Sequence, residues 1–137
     1  MSYLLDTNVC VDVLKGHPQV CARLEAISPV DCAISSVTAF ELATGVRRCR
    51  EPEKERKKLE KLFSVVSVLP FDAAAAEEAA RVRHELETAG RKIGPYDLLI
   101  AGHALGAGLI LASNNTREFG GISALRLEDW RAEAPAG

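Results

Sequence analysis

The sequence predicts an α/β fold in which a mainly parallel sheet is covered by helices on both faces. Two observations predict it. Short apolar runs alternate along the chain with longer segments of helical spacing, as βα crossovers require. Glycine, proline and short polar capping residues also fall at the boundaries between those segments. At 137 residues and 47% hydrophobic composition the chain is sized for a single domain over 1–137 with one buried core.

Tyr3 to Leu5 is the first short apolar run, ending at Asp6. Val9 to Leu14 carries helical spacing that stops at Lys15 and Gly16, and Pro18 to Ile27 reads as a second helix. Asp31 to Ile34 is a strand that opens through Ser35 and Ser36 into a helix reaching about Arg48. A charged helix follows from Pro52 to Phe63. Val65 to Leu69 is β-branched and short. Asp72 is a good N-cap for the alanine- and glutamate-rich run to Ala89, which Gly90 ends. Pro95 sits at a favoured first-turn position of a helix lasting to about Leu105. Gly106 and Gly108 break the chain before the strand Leu109 to Ala112. The polar turn Ser113 to Arg117 leads to Phe119, two glycines and a last strand around Leu125 to Leu127.

No apolar stretch approaches the ~20 residues that span a bilayer, and the N-terminus has no signal-like pattern, so a cytoplasmic protein without membrane contact is expected. Cys10, Cys21, Cys32 and Cys49 are far apart, without the clustered spacing of a zinc site, and are read as reduced thiols. The net charge of −2 argues against coating nucleic acid through the overall field. Between Arg47 and Lys61, however, eight basic residues face four acidic ones. That segment reads as a solvated helix laced with i,i+4 pairs such as Glu53 with Lys57, and it offers a contact for a phosphate backbone.

In open parallel sheets ligands bind beyond the carboxyl ends of the strands, which directs attention to Asp6 and to the segment Ser113 to Glu118. Thr7 and Asn8 add short polar groups beside Asp6, whose alternative role is to cap the following helix. Glu41 shares a helical face with Val37 and Phe40, so its carboxylate is expected to point toward an apolar stripe. The competing account is a capping box between Thr38 and Glu41. Asp97 falls in the first turn of its helix, where the macrodipole favours an anion, and also faces inward with Ile100 and Ala101. Three such acids without an obvious basic partner are best satisfied together by a divalent cation. An all-oxygen site suits Mg²⁺ or Mn²⁺, whose usual chemistry there is attack of water on a phosphodiester.

The segments Leu5-Asp6-Thr7-Asn8, Ser35 to Leu42, Ile93 to Ala104 and Ser113 to Phe119 resemble, in order and spacing, the PIN-domain ribonucleases, and more narrowly the VapC-type toxins of VapBC toxin–antitoxin pairs. The resemblance covers nearly the whole chain. It implies a three-layer α/β/α sandwich and Mg²⁺- or Mn²⁺-dependent endoribonuclease activity. It also implies a small cognate antitoxin and a homodimer. Asp6, Glu41 and Asp97 carry over as metal-binding, catalytic acids and Thr7 as a hydroxyl near the metal; Asn8 and Ser113 are accessory candidates. The Gly94-Pro95-Tyr96-Asp97 block resembles the group that cuts structured tRNA. Many family members place an aspartate where this chain has Asn115, and Glu118 is the candidate substitute, with a surface acid at a helix start as its alternative.

Two other functions compete. A catalytically inactive PIN-like module that binds RNA or protein would have lost a metal acid, and all three are present. A haloacid-dehalogenase-type phosphatase would need a second aspartate two positions after Asp6, where Asn8 stands. His17, His84 and His103 share no motif and are read as structural or surface residues.

Overall fold

The computed structural model describes residues 2–132. Its strands β1 (Tyr3–Leu5), β2 (Cys32–Ser35), β3 (Ser67–Leu69), β4 (Ile110–Ser113) and β5 (Leu127–Asp129) pair in the order β3-β2-β1-β4-β5, and every pairing is parallel. Tyr3 in the central strand aligns with Cys32 on one side and Ile110 on the other. The helices are α1 (Thr7–Leu14), α2 (Pro18–Ala26), α3 (Ser36–Arg48), α4 (Pro52–Val65), α5 (Ala73–Thr88), α6 (Pro95–Ala107) and the short α7 (Thr116–Phe119).

Successive strand residues point to opposite faces, so each central strand supplies both halves of the core. Leu5, Ile34 and Ala112 pack with Val9, Val20, Leu42, Leu59 and Leu62 from α1 to α4. Leu4, Ala33 and Leu111 pack with Val82, Leu86, Ile100 and Ala104 from α5 and α6. The result is the expected three-layer α/β/α sandwich. All four cysteines are free thiols, with Cys10 and Cys32 fully buried and both pushed up by burial. No helix among the described residues is long and apolar enough to cross a membrane.

Several boundaries differ from the sequence expectation for physical reasons. Helix α6 runs through Gly106 to Ala107, because Gly102 and Gly106 are packing positions. A Cβ on Gly102 would lie 2.5 Å from the Ala79 backbone, and one on Gly106 would lie 2.9 Å from that of Ala74. These two glycines let α5 and α6 approach closely. The break falls only at Gly108, which caps the helix at φ +68°. The last strand begins at Leu127 instead of Leu125: the Leu125 N–H turns back to the Ile122 carbonyl, and the sheet ladder starts with Leu111 donating to the Arg126 carbonyl. Helix α4 extends to Val65, which delays β3 to Ser67, and Asp31 belongs to a 3-10 turn before β2. The charged helix α4 is laced as expected, but at i,i+3: Arg56 pairs with Glu53 and Lys58 with Glu55, all exposed and worth little individually.

Candidate active site

Asp6 is where β1 leaves the sheet, its backbone N–H still bonded to the Ala112 carbonyl at 3.0 Å. It caps α1, Oδ1 accepting from the Val9 N–H at 2.7 Å, while Oδ2 accepts from the Ser113 hydroxyl at 2.6 Å. Capping and a place in the site are therefore not alternatives. The side chain is 1% exposed, and burial pushes its carboxyl up to about 6, with the neighbouring Asp12 and Glu41 adding to the effect against the two hydrogen bonds. Ser113 in turn accepts from the Asn115 N–H at 2.9 Å, so the exits of β1 and β4 are tied together by side chains.

Glu41 arrives from α3, whose N-cap is Ser35, the hydroxyl accepting from Val37 N–H. The helix begins too early for a capping box between Thr38 and Glu41. Phe40, expected to share a buried face with Glu41, is exposed, and the Glu41 carboxylate has polar partners: its Oε1 accepts from the Thr7 hydroxyl at 2.7 Å, with Thr38 Oγ1 3.1 Å from that hydroxyl. Asp97 sits in the first turn of α6, after Gly94 as N-cap and Pro95. Its carboxyl is pushed up to about 7, first by burial, then by the negative charges of Glu118, Asp6 and Glu41, and by a hydrogen bond shared with Glu118.

Glu118 was open to a surface reading; the structure turns it inward. Its Oε1 accepts from the Gly94 N–H at 2.9 Å and its Oε2 from the Asn115 side-chain amide. The short helix α7 is responsible, because Arg91 grips the Glu118 and Gly120 carbonyls and fixes that turn. Asn115 thus orients an acid. Asn8 does not join the cluster: it is exposed on α1.

Sequence reasoning missed Asp12. It is 5% exposed, accepts from Asn114 Nδ2 at 2.6 Å and is clasped by Arg131, Nη2 to Oδ1 at 2.7 Å and Nε to Oδ2 at 2.8 Å. The guanidinium holds its carboxyl below the usual range. An acid inside the run Val11-Asp12-Val13-Leu14 was the signal available. Asp12 differs from the other acids in having a basic partner, whereas no lysine or arginine side chain bonds Asp6, Glu41, Asp97 or Glu118 among the described residues. His103 is buried with Nδ1 2.7 Å from the Ser35 hydroxyl, and His17 caps α2; neither bonds the acids.

Negative neighbours help to raise Asp6 and Asp97, yet among the described residues no three metal-binding side chains already stand at ligating spacing. This is an open ring of oxygen donors, not a closed cage. It fits a cation that keeps several waters and takes only one or two protein carboxylates directly.

The sequence pattern of the PIN domain matches residues 3–124, which spans this entire ring. The chain belongs to the PIN-domain family. This PIN domain is 41% identical over 130 residues to the tRNA(fMet)-specific endonuclease VapC of Shigella flexneri, covering 95% of this chain and 98% of the relative. It is 38% identical over 132 residues to ribonuclease VapC2 of Rickettsia felis, with the same coverage. Among solved structures, a DNA-bound VapBC of Salmonella typhimurium superposes with a TM-score of 0.90 at 37% identity, covering 95% of this chain and 98% of that one. VapBC2 of Rickettsia felis bound to a promoter DNA fragment gives 0.89 at 37%, covering 95% and 99%. Membership of the PIN family removes the phosphatase reading.

Proposed function

We propose that this PIN domain is a divalent-metal-dependent endoribonuclease, the toxin half of a toxin–antitoxin pair, acting on structured RNA of the tRNA class. One observation carries the reading: four carboxylates from four elements converge at the carboxyl edge of the sheet, and among the described residues no basic side chain bonds them. Folding that brings like charges together is costly unless a ligand compensates them. Asp6, Glu41 and Asp97 would hold Mg²⁺ or Mn²⁺, with Glu118 as the fourth acid in place of the aspartate absent at Asn115. A cation bound there would lower the pKa of a water and neutralise charge developing on the phosphate.

The remaining groups of the chain hold those acids in place. Ser113 and the Val9 N–H fix Asp6, Thr7 fixes Glu41, and the Gly94 N–H with Asn115 fixes Glu118. Near neutrality and without a cation, partial protonation of Asp97, whose carboxyl is pushed up to about 7, relieves the crowding. The substrate class follows from relatives named as tRNA(fMet)-specific endonucleases at 41% and 37% identity. For the antitoxin, a groove lined by Val11, Leu14, Leu42 and Val46 leads from α4 to Thr7 and Glu41, an apolar channel ending at the acids. The homodimer expected from the resemblance belongs to the same proposal.

Asp97→Asn should abolish cleavage of purified tRNA and leave the fold intact. Mn²⁺ binding followed by calorimetry should weaken in the same variant. Expression of the chain alone should arrest bacterial growth, with co-expression of the antitoxin restoring it. Undiminished tRNA cleavage by Asp97→Asn, or by the wild type in excess EDTA, overturns the reading.

A further inference from the structure

Most aromatic side chains of this protein are packed away. Phe119 and Trp130 are buried, Tyr3 lies edge-on to Trp130, Phe71 lies edge-on to His103, and Phe63 packs on the α1 to α4 core. Phe40 and Tyr96 are the exceptions, at 49% and 43% exposed. They come from different helices, α3 and α6, yet their ring centroids are 5.4 Å apart with planes at 69°. Phe40 directly precedes Glu41 and Tyr96 directly precedes Asp97, so the pair flanks two of the site acids.

Rings left this exposed gain only part of the available burial free energy, since nearly half of their surface remains in water. An edge-on pair covers one ring with the other's edge and leaves further π-face open. The chemistry next to them sharpens the question. Without a bound cation the acids beside Phe40 and Tyr96 disfavour a phosphodiester, and the basic residues between Arg47 and Lys61 can hold a phosphate backbone but do not read a base. Uncharged contacts to the bases on either side of the phosphate are the natural source of affinity.

We propose that Phe40 and Tyr96 form a stacking platform for an unpaired base beside the phosphodiester held at the acids; this rests on the nuclease reading above. A base inside a helix has both faces covered by its neighbours. The platform therefore selects a loop, bulge or single-stranded end and disfavours continuous duplex. A second copy of the chain is the less suitable occupant. A stable interface needs about 800 Å² from each partner. The other exposed large apolar residues, Val30, Val65 and Val68, sit on the 3-10 turn, the end of α4 and β3, and do not join the two rings into one patch.

The test uses the full chain in EDTA with a hairpin RNA carrying 2-aminopurine in its loop, and a blunt duplex of the same stem as control. Wild type should quench the loop fluorophore. Phe40→Ala and Tyr96→Ala should each bind the hairpin roughly tenfold more weakly, and the double variant should lose the quench, with duplex binding unaltered. Tyr96→Phe should retain the quench. Phe40→Leu, which keeps apolar bulk without a π-face, should not. In Mg²⁺ the loss on cleavage should fall on KM more than on kcat. Alanine variants that bind, quench and cut like wild type overturn the platform and leave the nuclease reading standing. Wild type that quenches but never cuts sinks the nuclease reading and leaves the platform. A double variant that turns a dimer into a monomer in sedimentation, with hairpin affinity unchanged, assigns the rings to a contact between copies and overturns the proposal.

Discussion

Glu118 is the residue whose environment its sequence context hid. An acid three positions after Asn115 in a polar turn looks like a solvated helix start, and only the fold shows that α7 swings it under the Gly94 N–H. Its charge is a main reason, after burial, that Asp97 is held up near 7. Glu118→Gln should therefore lower the Asp97 pKa in the metal-free protein, read by NMR titration of the side-chain carboxyl. It should also slow RNA cleavage on the order of a hundredfold, as removal of a positioned acid does. Asn115→Ala should have a smaller effect, about tenfold, because it removes one hydrogen bond to that acid. An Asp97 titration unmoved by Glu118→Gln would show that the Glu118 charge does not raise Asp97. Asp6 and Asp97 were legible because their positions relative to a strand end and a helix start are local facts. The setting of Glu41 was not, because its partner Thr7 lies on another helix, 34 residues away.

At the level of elements, α1 is joined to the far end of the chain by Asp12. Its carboxylate receives Arg131 from beyond β5 and Asn114 from the β4 exit, so one buried acid links three segments around the site. Arg131→Met keeps the aliphatic bulk but leaves Asp12 with a single side-chain donor, and should lower the midpoint of denaturant titrations at neutral pH. Asp12→Leu with Arg131→Met should recover part of that loss, since no buried charge is then stranded. A single variant as stable as wild type would mean that the clasp contributes nothing. The hydrophobic periodicity within α1 and α3 gave those helices correctly, yet periodicity records only which face is covered. It carries no information on which distant side chain meets a polar residue on that face, and that is why Asp12 and its clasp were invisible before the fold.

For the whole molecule, the acids make stability depend on pH in two separate windows. Asp6 and Asp97 are raised to about 6 and about 7 from an ordinary 3.8. Below 3.8 both are protonated in either state and cost nothing. As pH rises, the unfolded chain ionises them while the folded chain resists, so metal-free stability falls until the folded values are passed and is level beyond. Asp12 behaves oppositely: its carboxyl is depressed, so its contribution is complete above 3.8 and is lost as pH falls through the lower folded value. In EDTA, Tm should be higher near pH 5 than near pH 8, and Asp97→Asn should flatten that difference. An unchanged slope in the variant would contradict the placement of Asp97 among like charges. The alternation of strands and helices made the layered parallel sheet legible as a whole. The helix boundary at Gly106 was misread because close packing against Ala74 is a tertiary cause that local glycine statistics do not contain.

The order of strands also bears on when, during synthesis, the protein becomes dangerous to its maker. Asp6 is translated well before its partner: the serine that grips it follows 107 residues later, and the arginine that secures Asp12 follows that residue by 119. Because β1 lies at the centre and β4 beside it, a nascent chain that stops before β4 has the first acid without Ser113, Glu118 or the strand that completes the core. Partial translation products that stop there lack the completed site. If the full chain arrests bacterial growth as proposed, a version ending at Ala107 should leave growth untouched, and the interval before β4 emerges is time in which an antitoxin made beforehand can be waiting.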